Sequence, residues 1–362
     1  MPLKLSSPPS RICVLRLSAL GDACHVLPVI RTLQHQWPEA KITWIIGKNE
    51  ARLMSLVSDV EFITFDKRHG VREYFRLRKL LKSRRFDLLL HMQLAIRASL
   101  LSSLVRAPIK VGFDRERARE LQWLFTTHRI APRAREHVLD SFYGFAEFLG
   151  VHDRIMRWDI PLPNEAHAYA ARIIDDSRPT LVVSPCSSHE RRNWRVERYA
   201  AVIEHAVRGH GLRVVLCGGP SATEKAYGRA IERLASVPVI NQIGKDTLPE
   251  LLALLAKANI VISPDAGPAH LANSVGTPVI GLYAATNPER SGPYFSRQWC
   301  VNKYDEAARR FLGRPAEELA WHTKIERKGV MDLITSQDVN RKLDEFMRKR
   351  TRLPRRTASV RG

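Results

Sequence analysis

No apolar run in the 362 residues approaches the roughly 18 to 20 that a bilayer-spanning helix needs, and the opening MPLKLSSPPS has no apolar stretch of the leader type. The expectation is a cytoplasmic protein. Cysteine is scarce: Cys13, Cys24, Cys186, Cys217 and Cys300 are odd in number, scattered and never spaced as C-x-x-C, which argues against disulfide frameworks and zinc sites. Several fall in apolar runs, where a thiol packs as a small hydrophobe. A G-x-G-x-x-G fingerprint is missing too, which weakens a dehydrogenase reading. No D-x-D turn is placed to hold a divalent ion at a diphosphate, since Asp175-Asp176 fall in a linker. Neither a metal nor a cofactor is expected.

Acid is the charge in short supply. Against 58 Lys and Arg stand 37 Asp and Glu, a formal +21, which points to an anionic partner: nucleic acid, a membrane surface or a phosphorylated substrate. Nine of the basic residues lie between Lys67 and Arg85, with Glu73 the one acid among them. That run reads either as a solvated helix face or as a ligand contact, with His69 and Arg72 beside Gly70, where a loop could turn them to a cleft. A second cluster, RKRTRLPRR at 348–356, reads as a frayed end, because a segment with Pro354 and no apolar periodicity cannot offset its ordering entropy.

What is present is an ordinary globular composition, 44% apolar, in a chain longer than one core usually sustains. Two domains, and hence a cleft, are expected. Short apolar runs alternate with amphipathic stretches: a strand at 11–17, a helix from about 23 to 36 ended by Pro38, a strand at 42–47, a helix near 49–57, the strand EFITF, a basic helix at 71–83 and the strand DLLLHM. The pattern loosens after Pro132, and a proline-bearing stretch at 159–180 marks the boundary. From Thr180 it restarts with LVVSPCS, a helix at 196–208, RVVLCGG, VINQIG and NIVIS, with Thr247 and Glu250 forming a capping box between the last two. The layout is α/β: an N-terminal domain over 1–165, a C-terminal one over 178–335, a closing helix at 336–349 and a tail at 350–362 without fixed structure.

In open α/β sheets ligands bind beyond the carboxyl ends of strands, and four strand-to-helix turns there carry chemistry. In LSALGD (17–22), Gly21 allows close backbone approach, and Asp22 reads either as a helix cap or as a general base. In SPCSSHERRNW (184–194), Ser187 and Ser188 can donate to phosphate oxygens and Arg191 or Arg192 can neutralise them, or the serines can cap the next helix. In CGGPSATE (217–224), Ser221 and Glu224 form a capping box, or Glu224 holds ribose hydroxyls. In NIVISPDAGPAHLANSVGTPVIGLY (259–283), a small-residue turn opens a helix whose free amides suit a departing diphosphate, with Asp265 and His270 flanking it.

LSALGDACHVLP, PCSSHERRNW and PDAGPAHLANSVGTPVIGLYAATNPERSGPY together resemble glycosyltransferase family nine, the ADP-heptose:lipopolysaccharide heptosyltransferases. The resemblance runs over roughly residues 11–345, weakest between Gly70 and Asp159. It implies a GT-B fold, two doubly wound Rossmann-like domains, with acceptor on the N-terminal domain and ADP-sugar on the C-terminal one. Carried over residue by residue, Asp22 matches the catalytic base, Ser187, Ser188 and Arg192 the phosphate loop, and Glu224 the ribose-binding acid. Asp265, Ala266, Gly267 and His270 match the donor-site turn. Serines and arginine replace the threonines and lysine of several members; hydroxyls and positive charge are kept, though arginine offers a fork where lysine offers a point. Gly21, His69 and Arg72 are acceptor-side candidates by position alone.

The implied reaction is an inverting transfer of heptose from ADP-heptose to the Kdo/heptose inner core of lipopolysaccharide. The implied acceptor is an anionic lipid A-Kdo type molecule, with peripheral contact at the cytoplasmic leaflet of the inner membrane and no nucleic acid partner. Two rivals stand beside it: a transferase or epimerase acting on another nucleotide sugar, and a basic protein binding nucleic acid or membrane.

Overall fold

A computed structural model describes residue 3, residues 5–175 and residues 177–351, the last two without their side chains. The 352–362 part of the tail and Asp176 lie outside the described residues. Contacts divide the chain between Ala166 and His167.

The first unit contains β1 (Arg11–Leu15), α1 (Leu20–Gln36), β2 (Lys41–Gly47), α2 (Lys48–Met54), β3 (Glu61–Phe65), α3 (Val71–Leu81), β4 (Leu88–His91), α4 (Ile96–Ser102), β5 (Ile109–Gly112), β6 (His128–Arg129) and α5 (Val138–Phe148). All strands are parallel, in the order β3-β2-β1-β4-β5-β6. Ile12–Leu15 and Leu88–His91 are buried throughout, which is why they read as near-continuous apolar runs, with His91 the polar exception: helices cover both faces. The chain reverses direction across the sheet between β1 and β4, which makes the β1 end the expected ligand site.

Helix α1 starts at Leu20, three residues before its expected start, and so takes Asp22 into its first turn. It also runs through Pro28, which has no N–H to give the Cys24 carbonyl one turn back. The Trp158 indole N–H supplies the missing donor to that carbonyl at 2.8 Å.

The second unit begins within α6 (Asn164–Ile173) and continues through β7 (Thr180–Val183), α7 (Val196–His210), β8 (Arg213–Leu216), α8 (Ala222–Leu234), β9 (Ile240–Asn241), α9 (Leu248–Lys257), β10 (Ile260–Pro264), α10 (Gly267–Ser274), β11 (Val279–Tyr283), α11 (Pro288–Ser291), β12 (Val301–Asn302), α12 (Tyr304–Leu312) and α13 (Ser336–Thr351). Its sheet, β12-β11-β10-β7-β8-β9, is again parallel and has the same order read from the other edge. Trp194 anchors the core, its indole donating to the Ile334 carbonyl at 2.9 Å and its ring meeting Tyr199 edge-on. Asp344 of α13 is held on α7 by His205 Nε2 and His210 Nε2, at 2.6 and 2.7 Å from one Oδ1. Among the described residues this is the one group of three side chains whose atoms could ligate a metal ion.

Candidate active site

The β1–α1 turn shows what Asp22 does locally. Ala19 is the N-cap of α1, and its methyl group cannot accept a hydrogen bond. Asp22, in the first turn, reaches back to the Ala19 N–H only at 3.4 Å, a poor cap. Its firm partner is Arg16, whose Nη2 donates to Asp22 Oδ2 while Nη1 donates to the Met92 carbonyl at 2.6 Å. The guanidinium also lies over the Phe142 ring, so Arg16 is fixed on three sides. Asp22 is one-third exposed (33%). Among the described residues its Oδ1 has no hydrogen-bond partner, so one oxygen is anchored and the other is free to accept. Gly21 is buried in the same helical turn.

Beside this turn, beyond the carboxyl ends of β1, β2 and β3, lies a cavity of about 170 Å³. Its wall carries Lys48, Lys67, Arg68 and Arg97, with Ser18 and Glu50. Gly47 is obligatory at the edge: a Cβ there would meet the Leu17 carbonyl oxygen at 2.2 Å and Glu50 at 2.5 Å. Burial raises the Glu50 carboxyl above the usual range, though its own backbone N–H and the charges of Lys67, Arg16 and Arg97 oppose the shift. Asp66 is held low, first by Arg68 at 2.7 Å, with Lys48 at 3.2 Å adding to the effect.

His69 and Arg72 do not line this cavity. His69 sits in a 3-10 turn, Lys67–His69, 3.4 Å from Glu73 and 4.0 Å from Asp66. Arg72 is exposed on α3 without an ion pair among the described residues. Gly70 joins the two segments at φ +52°, the left-handed region that glycine tolerates. The cations at the cavity are therefore neighbours of those singled out from the sequence. Lys48 and Arg97 were legible only through their places: one follows β2, the other opens α4.

In the second unit Arg192, Glu326, Asp265 and His270 form one connected cluster. Arg192 donates Nε and Nη2 to Glu326 Oε1, at 3.0 and 2.7 Å, and Nη1 to Asp265 Oδ2 at 3.3 Å. His270 Nε2 lies 3.9 Å from Asp265 Oδ1, and His189 3.3 Å from Glu326. Burial alone would push the Asp265 carboxyl up; His270, Arg192 and Thr286 together hold it below its ordinary value. Ser187 Oγ donates to the Asp265 carbonyl at 2.9 Å, and its N–H to Asn193 Oδ1 at 2.7 Å, which joins the β7 loop to the β10 turn. Ser188 is exposed.

Asp265 is not the cap of α10. That place belongs to Ala266, with Gly267 the first helical residue and Pro268 the second. Pro268 has no N–H, and the Ala269 N–H donates to the Ala266 carbonyl at 3.1 Å, so among these first residues the Gly267 N–H is the amide left for an outside acceptor. The expected box at Ser221 and Glu224 is half formed. Ser221 Oγ accepts from the Glu224 N–H at 3.2 Å, but the Glu224 carboxylate reaches to the Gly219 N–H instead of the cap's own. A Cβ on Gly219 would lie 2.8 Å from that carboxylate, so the Gly-Gly turn is what lets Glu224 in.

Glu326 and Asp246 were missed. Glu326 lies 134 residues beyond Arg192, in an irregular segment that no periodicity marks. Asp246 Oδ2 is buried without a hydrogen-bond partner, and burial, with repulsion from Glu250 and Glu224, raises its carboxyl to about 7. The signal for Asp246 was an acid one residue before a helix cap, too common to single out.

The sequence profile of glycosyltransferase family 9 (heptosyltransferase) matches residues 74–322. The lipopolysaccharide core heptosyltransferase OpsX of Haemophilus influenzae is 42% identical over 339 residues, 94% of this chain and 97% of that protein. Among solved structures, a family 9 glycosyl transferase from Veillonella parvula superposes with a TM-score of 0.76 at 22% identity, covering 94% of this chain and 97% of its own. The heptosyltransferase WaaC of Escherichia coli, solved with ADP, gives 0.72 at 20% identity, covering 93% and 99%. Those two likenesses bear out the fold expected from the sequence, the GT-B arrangement of two doubly wound domains.

Proposed function

The chain belongs to glycosyltransferase family 9 and is a glycosyltransferase, and we propose that it transfers heptose from ADP-heptose to the inner core of lipopolysaccharide. The observation that carries the mechanism is the Asp22 carboxylate, with Oδ2 tied to Arg16 and Oδ1 unpartnered at the carboxyl end of β1. Oδ1 takes the proton of the acceptor hydroxyl as that oxygen forms its bond to the anomeric carbon. The bond from that carbon to the diphosphate oxygen breaks on the opposite face, and ADP leaves with the electron pair. Configuration is inverted, and the proton rests on Asp22 until solvent removes it.

The donor belongs to the second unit. Arg192, Ser188 and the Gly267 N–H that opens α10 meet the charge that develops on the diphosphate, with Ser187 joining them when its hydroxyl turns from the Asp265 carbonyl, and Glu224 accepts from the ribose hydroxyls. A carboxylate has about four lone-pair directions, so the Gly219 and Ser221 contacts leave Glu224 room for two hydroxyls. Asp265, held charged by Arg192 and His270, keeps the turn fixed.

The acceptor belongs to the first unit. Lys48, Lys67, Arg68 and Arg97 around the cavity suit an anionic, Kdo-bearing lipid A type acceptor; His69 and Arg72 follow Arg68 along the chain and Gly21 follows Ser18. Such an acceptor is lipid-anchored, so the enzyme works in the cytoplasm at the inner face of the membrane, as a peripheral protein. Nucleic acid is not a partner in this scheme, and no metal or cofactor takes part in it.

The deciding experiment measures ADP release from ADP-heptose, with and without a Kdo-bearing lipid A acceptor, for the native chain and Asp22→Asn. Release that needs acceptor and vanishes in the variant supports the reading. Release of sugar or of isomerised donor without acceptor would turn it to an epimerase acting on a nucleotide sugar.

A further inference from the structure

Nine large apolar side chains are the most exposed among the described residues, and seven of them, Val71, Phe75, Leu80, Ile96, Leu100, Leu121 and Leu124, lie on three adjoining elements of the first unit. Scattered single exposures need no account; a contiguous group does, because water penalises it in proportion to its area. The three elements are physically joined. Tyr74 of α3 donates to the Arg97 carbonyl of α4 at 3.0 Å, and the Ile96 N–H donates to Glu120, just before the 3-10 turn Gln122–Phe125.

Each element holds its apolar residues outward by its own means. On α3 the inward face is Glu73, Leu77 and Leu81, so Val71 and Phe75, one turn apart, point away from it at 70% and 65% exposure. The next positions along that outward stripe, Arg78, Lys79 and Lys82, are exposed and have no carboxylate partner among the described residues. Before the 3-10 turn, Glu120 and Leu121 both adopt positive φ, +48° and +59°. Two successive non-glycine residues in that region are costly, and in this conformation Leu121 and Leu124 stand in solvent at 54% and 59% exposure. Arg97 and Arg119 flank them.

We infer that the face built from α3, α4 and the Gln122–Phe125 turn docks the enzyme on an anionic phospholipid leaflet, with Val71, Phe75, Leu121 and Leu124 entering the headgroup layer. Charge complementarity selects the occupant. Apolar tips edged by unpaired Arg and Lys, on a chain of net charge +21, match the boundary between acyl chains and anionic headgroups. A protein partner would need acids spaced to meet the same cations; a leaflet presents them everywhere. The inference rests on the reading of a lipid-anchored acceptor for its purpose. It also explains position: Arg97 belongs both to this face and to the wall of the cationic cavity.

The test is co-sedimentation of the full chain with vesicles of phosphatidylethanolamine and phosphatidylglycerol, and with phosphatidylcholine alone, across a salt series. The native chain is expected on the anionic vesicles only. Phe75→Ser/Leu121→Ser/Leu124→Ser should bind at least about tenfold more weakly, while keeping its melting temperature and its transfer to a water-soluble, delipidated acceptor. Arg78→Glu/Lys79→Glu/Lys82→Glu should lose most of the salt-dependent part. Native-like binding by the serine variant would overturn the proposal, since the basic segment 348–356 would then carry the attraction. Equal binding to phosphatidylcholine, or a change in self-association in place of vesicle binding, would overturn it as well. If the native chain transfers sugar to the soluble acceptor yet ignores vesicles, this surface fails and the transferase reading stands; vesicle binding without ADP release is the reverse.

Discussion

At the carboxyl edge of the first sheet, Lys48, Lys67, Arg68 and Arg97 surround a cavity with Glu50 and Asp66 as the acids among them. At the corresponding edge of the second sheet, which has the same strand order, Arg192 is met by Glu326 and Asp265, and Asp265 by His270. One unit leaves its cations in excess; the other balances its own. In the proposed scheme the difference lets one architecture serve two ligands. A charged acceptor held by surplus cations can be bound through charge, whereas a diphosphate that gains charge during reaction is better met by a preset arginine whose position is already fixed by carboxylates. Asp22 combines both habits, being anchored by Arg16 on one oxygen and free on the other.

The largest expected effect comes from the group the scheme uses directly. Asp22→Asn keeps the shape and an oxygen facing Arg16 but cannot hold a proton, so turnover should fall by roughly 10²- to 10⁴-fold. ADP affinity, measured by calorimetry, should stay within about twofold of native, because the donor groups belong to the other unit. Loss of ADP binding would mean that the residue supports the fold.

Next comes the balanced arginine. Arg192→Ala should lower kcat/KM for the donor by about 100-fold, a loss of about 2.7 kcal/mol that a charge-assisted contact can supply. Glu326→Gln leaves the arginine in place and removes only its orienting charge. About a tenfold loss is expected, more in kcat than in KM, because poor alignment is felt most where charge develops. If Glu326→Gln matched Arg192→Ala, the glutamate would be touching substrate.

Much of this was legible in advance, and the reasons differ by element. Fully buried parallel strands such as LLLH and the run from Ile260 to Pro264 are apolar but for His91 and Ser263, so they could be read at once. Turns after strands concentrate ligand contacts, which is why Asp22, Ser187, Arg192, Glu224 and Asp265 were the residues to weigh there. The start of α1 was misplaced because Ala19, which has no side-chain acceptor, caps it, and the path through Pro28 depends on Trp158, 130 residues later. Glu326 was invisible for the same reason. Its role exists only once residues 192 and 326 are brought together, and no local rule encodes that.

The surplus cations of the first unit should give a smaller, salt-sensitive effect. Arg68→Ala removes a cavity cation that is also the main partner of Asp66. The acceptor KM should rise about tenfold in low salt and less in high salt, because screening already weakens an exposed contact. Donor KM should not move. A salt-independent rise would point to a shape defect rather than to lost charge.

The smallest effect tests the claim that the second unit balances its charges, since Asp246 is its exception. Burial raises its carboxyl from an ordinary 3.8 to about 7, with Glu250 and Glu224 adding to the rise and its own backbone N–H opposing it. A folded-state value above the unfolded one means that the native state holds the extra proton between those two values. Stability therefore falls as pH rises through the window from about 4 to 7, and the cost is complete above it. Asp246→Asn keeps the acceptor for that N–H and cannot ionise. In urea unfolding followed at pH 3.5 and pH 8, the variant should come close to the native chain at the lower pH and exceed it by about 1 to 2 kcal/mol at the higher, the full shift being discounted for partial exposure. A difference that stays constant with pH would mean that the buried oxygen finds a partner in solution, and the second unit would then be balanced throughout.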